Sequence, residues 1–90
     1  MILTLYRVTM QSGYVWRFAA NLAEASAPLY TLGEPDEPGQ KPALVSTQYQ
    51  TADARHRPMR AAALLWPIEN DDVDDGDEVA SVKDVGEVSR

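Results

Sequence analysis

The sequence predicts a small α+β domain in which an antiparallel sheet of three or four strands packs against one helix, with an acidic C-terminal tail. The chain has 90 residues, which is the size of one domain. Strand-like runs of β-branched and aromatic residues fill its first half, and one later segment repeats apolar residues at helical spacing. Residues 69–90 are dominated by acidic residues and have too few large apolar side chains for a core element.

Residues 2–10 and 14–20 predict an antiparallel hairpin. The first run is rich in β-branched and long apolar side chains, and it ends before Gly13, which can adopt the positive φ of a tight turn. The second run has an aromatic residue at every second position, namely Tyr14, Trp16 and Phe18. This period of two predicts a strand with one buried face. We expect the aromatic row to pack in the core rather than to stack nucleic-acid bases, because only Arg17 accompanies it.

The middle of the chain predicts two further short strands separated by a loop. Residues 29–33 are apolar, and residues 34–42 then hold three prolines and a glycine among charged residues. That composition predicts a surface loop. Residues 43–49 contain the β-branched side chains of the next strand. Residues 21–28 fit either a short helical turn or an irregular connection.

Residues 52–66 predict the helix, with Thr51 as its N-cap. Pro58 lies too deep for the first turn, so the helix either is kinked there or begins at Arg57 with Pro58 at its first position. Pro67 is expected to end it. The outer face of this helix is basic and carries the candidate nucleic-acid-binding residues Arg55, His56, Arg57 and Arg60.

Charge divides the chain into two parts. The net charge is -6, but residues 69–90 alone carry -7 and hold nine of the 14 acidic residues, so residues 1–68 are close to neutral. We therefore expect a domain over residues 1–68 and an acidic, flexible tail over residues 69–90. Valines recur at every third position of the tail and predict a weak apolar stripe that would order on a partner. They are Val79, Val82, Val85 and Val88.

Composition and motifs argue against catalysis. The chain has no cysteine and one histidine, so it offers neither a thiolate site nor a histidine-rich metal site. Nothing fixes a nucleophile and an acid beside His56, and no GxSxG, HExxH or phosphate-binding glycine loop occurs. A calcium loop beginning at Asp71 fails at two ligand positions, which are occupied by Val73 and Val82. We predict a protein that is not an enzyme and has no metal or cofactor.

The N terminus does not resemble a secretion signal. It has no basic segment ahead of an uninterrupted apolar run, and nowhere does the chain approach the stretch of about 18 apolar residues that crosses a membrane. We therefore expect a cytoplasmic protein that does not contact membranes.

The densest signal is the acidic run, whose candidate partner-binding residues are Asp71, Asp72, Asp74, Asp75, Asp77 and Glu78. In an extended chain these carboxylates would be spaced like nucleic-acid phosphates, at about 3.4 Å along a strand. Such a segment could occupy a basic groove that normally holds nucleic acid. The plainer interpretation is a solvated tail that improves solubility.

In length, in a pI near 4.5 and in this acidic run, the chain resembles small phage-encoded inhibitors of host defence. Anti-CRISPR proteins and DNA-mimicking anti-restriction proteins are the best-known kinds. The resemblance implies binding to a nuclease or a CRISPR surveillance complex in the host cytoplasm, with the acids competing for a basic nucleic-acid channel.

Two other hypotheses stay open. In the first, the basic helix binds nucleic-acid phosphates, and the acidic tail folds back over it as an autoinhibitor. In the second, the protein is an accessory component whose hairpin edge joins another sheet.

Overall fold

The computed structural model describes residues 1–35, 37–71 and 76–90, and within them it contains five strands and two helices. In chain order these are β1 (Ile2–Met10), β2 (Val15–Ala20), β3 (Pro28–Gly33), β4 (Ala43–Gln50), α1 (Thr51–Ala54), α2 (Pro58–Glu69) and β5 (Val79–Ser89). The predicted α+β class with an antiparallel sheet is confirmed, but the sheet has five strands in the order β4-β3-β2-β1-β5.

The predicted hairpin forms β1 and β2. Thr4 pairs with Ala20 and Thr9 with Val15, and the turn closes through Gly13 at a φ of +94°. A side chain at that φ would be strained, which explains the glycine. Strands β3 and β4 continue the meander at the positions that the sequence predicts.

The helical region is divided into two helices, and the second begins at Pro58. Pro58 is the first residue of α2, so the version of the helix that begins there is confirmed. Arg55 and His56 adopt left-handed conformations between α1 and α2, with φ values of 50° and 61°. The expectation that Pro67 ends the helix is wrong, because α2 continues to Glu69 and ends where the Asn70 amide donates to the Trp66 carbonyl.

Thr51 begins α1 and anchors the connection at residues 21–27, which is irregular rather than helical. The predicted N-cap position is off by one, since Gln50 is the N-cap. The buried Thr51 hydroxyl accepts a hydrogen bond from the Ala27 amide at 3.0 Å and donates one to the Glu24 carbonyl. These bonds satisfy polar groups that burial would otherwise leave unpaired.

Both helices pack on one face of the sheet. The main core lies between them and the strands, and its buried members are Val8, Met10, Trp16, Phe18, Ala20, Leu22, Leu29, Ala54, Ala61, Ala62 and Leu65. The predicted burial of the aromatic row therefore holds for Trp16 and Phe18, whereas Tyr14 is exposed at the turn. On the opposite face, Leu3, Ala19 and Tyr30 form a smaller cluster. Of the described elements, no helix lies on that face, which we call the uncovered face.

Residues 79–89 are not a flexible tail, and the predicted boundary at residue 68 is wrong for this segment. They form β5, which pairs with β1 from Ile2↔Ser89 to Met10↔Val79. Val79 and Val82 pack against the main core, and Val88 packs against the smaller cluster. Asp72, Asp74 and Asp75 of the predicted tail lie outside the described residues.

The placement of β5 predicts that substitutions of two of its valines lower the free energy of unfolding by different amounts. Val82→Asn places a polar side chain against the main core and should lower the free energy of unfolding by about 2 kcal/mol. Val85 is 42% exposed, so Val85→Asn should cost no more than about 0.5 kcal/mol. Urea unfolding of both variants measures the difference. Equal effects would contradict the pairing of β5 with β1.

Candidate functional site

One end of the sheet gathers most of the described acidic residues. Because the strands alternate in direction, the β1–β2 turn, the β3–β4 loop and the connection from α2 to β5 all lie there. We call the acidic residues found in these connections, together with the last residue of α2, the acidic end. Its described members are Glu34, Glu37, Glu69, Asp71, Asp77 and Glu78.

The connection into β5 is fastened to the β1–β2 turn. The Asp77 carboxylate accepts hydrogen bonds from the Ser12 amide, at 3.0 Å, and from the Ser12 hydroxyl. The Gln11 amide donates to the Glu78 carbonyl at 2.8 Å. The hydrogen bond from the Ser12 hydroxyl is the main cause that lowers the pKa of Asp77 from its usual value. Asp77 therefore has a structural role in holding the acidic end in place.

Aromatic rings support the acidic end from beneath. The ring centroids of Tyr14 and Trp66 are 5.7 Å apart, and Trp66 stacks on the buried Trp16 at 5.8 Å. Partial burial raises the pKa of Glu69, and a hydrogen bond from Tyr14 partly offsets this effect. Glu34 and Glu69 line the same cavity of about 310 Å³ beside Tyr14. The β3–β4 loop and the end of α2 are thus close neighbours.

The predicted acidic contact residues are only partly described. Asp71, Asp77 and Glu78 lie in the acidic end, while Asp72, Asp74 and Asp75 fall outside the described residues. Reasoning from the sequence missed the contributions of Glu34, Glu37 and Glu69. The sequence places Glu34 and Glu37 in a proline-rich loop, and only the strand order brings that loop to the same end as the segment before β5.

The predicted basic residues lie at the junction of α1 and α2 rather than on one continuous helix face. Arg55, Arg57 and Arg60 line a cavity of about 570 Å³ together with Asp53. His56 is exposed in the turn and does not line this cavity. The expectation that these residues share the outer face of one helix is therefore wrong for Arg55 and His56, because α2 begins only at Pro58.

The basic junction and the acidic end lie at opposite ends of α2. A helix of 12 residues spans about 18 Å. Asp77 and Glu78 are bonded to the β1–β2 turn at the far end, so they do not cover Arg55, Arg57 and Arg60. The described acidic residue that lines the cavity with these arginines is Asp53.

A third charged feature lies on the uncovered face. Arg7 is directly opposite Arg17 on β2 and directly opposite Lys83 on β5, and all three side chains are exposed. We call these three residues the cation row. No described carboxylate forms an ion pair with any of them. Like charges directly opposite on neighbouring strands destabilise a sheet, so the fold alone does not account for the row.

The described residues hold no group of three or more acidic or histidine side chains that could bind a metal ion. Neither helix in this part of the chain is long and apolar enough to cross a bilayer. Comparison with protein-family models, with curated proteins and with solved structures finds no match. The interpretation of the sites therefore depends on their geometry and charge.

The contact between Asp77 and Ser12 predicts an acid-sensitive turn. A carboxyl group with a lowered pKa in the folded state stabilises the fold above its unfolded-state pKa, and this stabilisation is lost as pH falls through the folded-state pKa. Asp77→Asn should therefore lower the urea midpoint at neutral pH and flatten its decline below about pH 4. Glu78→Gln, at an exposed neighbour, is the control. An unchanged pH profile in the Asp77 variant would count against this role.

The cation row predicts that a charge reversal stabilises the protein. Arg7→Glu replaces two like-charge pairs with opposite-charge pairs, so we expect the free energy of unfolding to rise by about 1 kcal/mol. Lys41→Glu makes the same change in net charge on an exposed loop residue and should give no rise. Urea unfolding at low salt tests both variants. A loss of stability in the Arg7 variant would contradict the assigned register.

Proposed function

We propose that the chain is a non-catalytic interaction protein whose acidic end binds the basic nucleic-acid site of a partner protein and thereby inhibits that partner. The observation that carries this proposal is the gathering of two separate acidic segments at one end of the sheet. Six of the ten acidic residues in the described ranges belong to that end, and Lys41 is the one base in the same connections.

The anchoring of the acidic end supports this role. Acidic residues on a freely moving tail must lose conformational entropy when they bind, and this loss weakens binding. Here the connection is tied at both sides, by α2 and by β5, and Asp77 fixes it to the β1–β2 turn. An anchored cluster of carboxylates therefore meets a basic groove at a smaller entropic cost than a free tail would.

Electrostatics supplies the expected mode of inhibition. A concentrated negative charge is steered towards basic grooves, where it competes with nucleic-acid phosphates for the same lysine and arginine side chains. Inhibition is then stoichiometric and weakens as salt rises.

A second candidate function rests on the cavity lined by Arg55, Arg57 and Arg60. Three guanidinium groups around one cavity suit phosphate oxygens, so this junction is the place where the chain would contact nucleic acid directly. The distance along α2 argues against the acidic end acting as its autoinhibitor in this conformation.

The proposed inhibition can be tested by capture from a bacterial lysate on the immobilised full chain, followed by elution with a single-stranded oligonucleotide. We expect nucleic-acid-handling proteins to bind at low salt and to be released by the oligonucleotide, because both ligands occupy one basic site. The test variant carries Glu34→Gln, Asp71→Asn and Glu78→Gln, which neutralise both segments of the acidic end, and should capture at least tenfold less of these proteins.

The matched control carries Glu24→Gln, Asp84→Asn and Glu87→Gln, which remove the same negative charge away from the acidic end. It should capture as much as the unchanged chain. Equal losses in both variants would mean that capture depends on the net charge of the chain and not on the position of its acidic residues, which would contradict the proposal. Partners that the oligonucleotide does not release would contradict competition for a nucleic-acid site.

A further inference from the structure

The uncovered face combines the cation row with an apolar groove. The groove has a volume of about 450 Å³ and is lined mainly by aliphatic side chains, with Arg17 of the cation row at its border. Its apolar lining consists of Ile2, Leu5, Leu32, Pro42 and Val88. Lys41 and Glu87 also border it, so cations outnumber carboxylates around the groove.

This arrangement has the composition of a protein contact surface. Such surfaces place apolar side chains at the centre and charged ones at the rim, and arginine is frequent among the residues that dominate binding. The cation row has no ion-pair partner among the described residues, and like charges directly opposite one another repel. An external group that supplies carboxylates would remove this repulsion.

We propose that the uncovered face binds an acidic amphipathic helix of a partner protein. The opposite face already holds α2, so a helix on the uncovered face would complete a three-layer arrangement of helix, sheet and helix. The apolar stripe of the incoming helix would fill the groove, and its carboxylates would lie over Arg17, Arg7 and Lys83.

The spacing of the cations across the sheet matches the spacing of carboxylates along one face of a helix. Neighbouring strands are about 4.8 Å apart, so the cation row extends over roughly 10 Å across three strands. Carboxylates at positions i, i+3 and i+7 of a helix extend over about 10.5 Å along its axis on one face. A helix that crosses the strands along the row can therefore place one carboxylate near each cation.

Nucleic acid fits this face less well than an acidic helix does. Proteins that bind single strands on a sheet stack the bases on exposed aromatic rings. Tyr30 is the aromatic residue that the described uncovered face contains, and it is 1% exposed. The Arg90 guanidinium lies over its ring, 4.9 Å from the centroid, and donates to its hydroxyl at 2.6 Å. No ring is left on this face for stacking.

The proposal is tested with a fluorescein-labelled helical peptide that has leucine along one stripe and glutamate beside it. Fluorescence anisotropy with the full chain should show binding, and a peptide with glutamine in place of glutamate should bind at least tenfold more weakly. Arg7→Glu should weaken binding of the glutamate peptide at least tenfold. Because Arg7→Glu is expected to stabilise the fold, the loss cannot be attributed to unfolding.

A variant carrying Met59→Glu and Ala63→Glu, both exposed on α2 at the other side of the sheet, makes the same change in net charge as Arg7→Glu and is the matched control. It should bind the glutamate peptide as the unchanged chain does. Absence of binding, equal binding of the glutamine peptide, or equal losses in the two variants would each overturn the proposal. Tighter binding of a labelled thymidine oligonucleotide that Arg7→Glu abolishes would also overturn it in favour of nucleic acid. The acidic end takes no part in this experiment, so its result is independent of the proposed inhibition.

Discussion

The pairing of β5 with β1 is the interaction on which the rest of the structure depends. It makes β1 an inner strand, bonded on one side to β2 and on the other to β5. Val79 and Val82 then help to close the core beside α2, while Val88 joins the cluster on the uncovered face. Without this strand, β1 would be an edge with unpaired backbone groups, and the flank of the core would be open to water.

The same pairing separates the charges of the molecule. It turns the segment between α2 and β5 into a connection held at both sides, and it places Asp77 beside Ser12 at the end where the β3–β4 loop also lies. It also sets Lys83 opposite Arg7, which completes the cation row on the uncovered face. The chain thus presents a negative end and a positive, partly apolar face, although its net charge alone suggests a uniformly acidic protein.

Local rules were sufficient for the hairpin and for the start of α2, because the turn at Gly13 and the position of Pro58 depend on neighbouring residues alone. They failed for β5, whose apolar residues recur every third position instead of every second. Register shifts between Leu5 and Tyr6 and between Thr9 and Met10 explain this spacing, since an extra residue resets the alternation of the strand. The acidic end and the cation row depend on strand order and register, which link residues far apart in sequence and are not visible in any single segment.

The measurement that tests this account most directly is amide hydrogen exchange, residue by residue, on the full chain at neutral pH. If β5 is an integral strand, the amides of β5 that bond to β1 should exchange as slowly as those that join β1 to β2, because both groups open only when the sheet unfolds. Rapid exchange throughout residues 79–89, with β1 to β4 still protected, would instead restore the interpretation of a loose acidic tail. That result would remove both the anchored acidic end and the cation row.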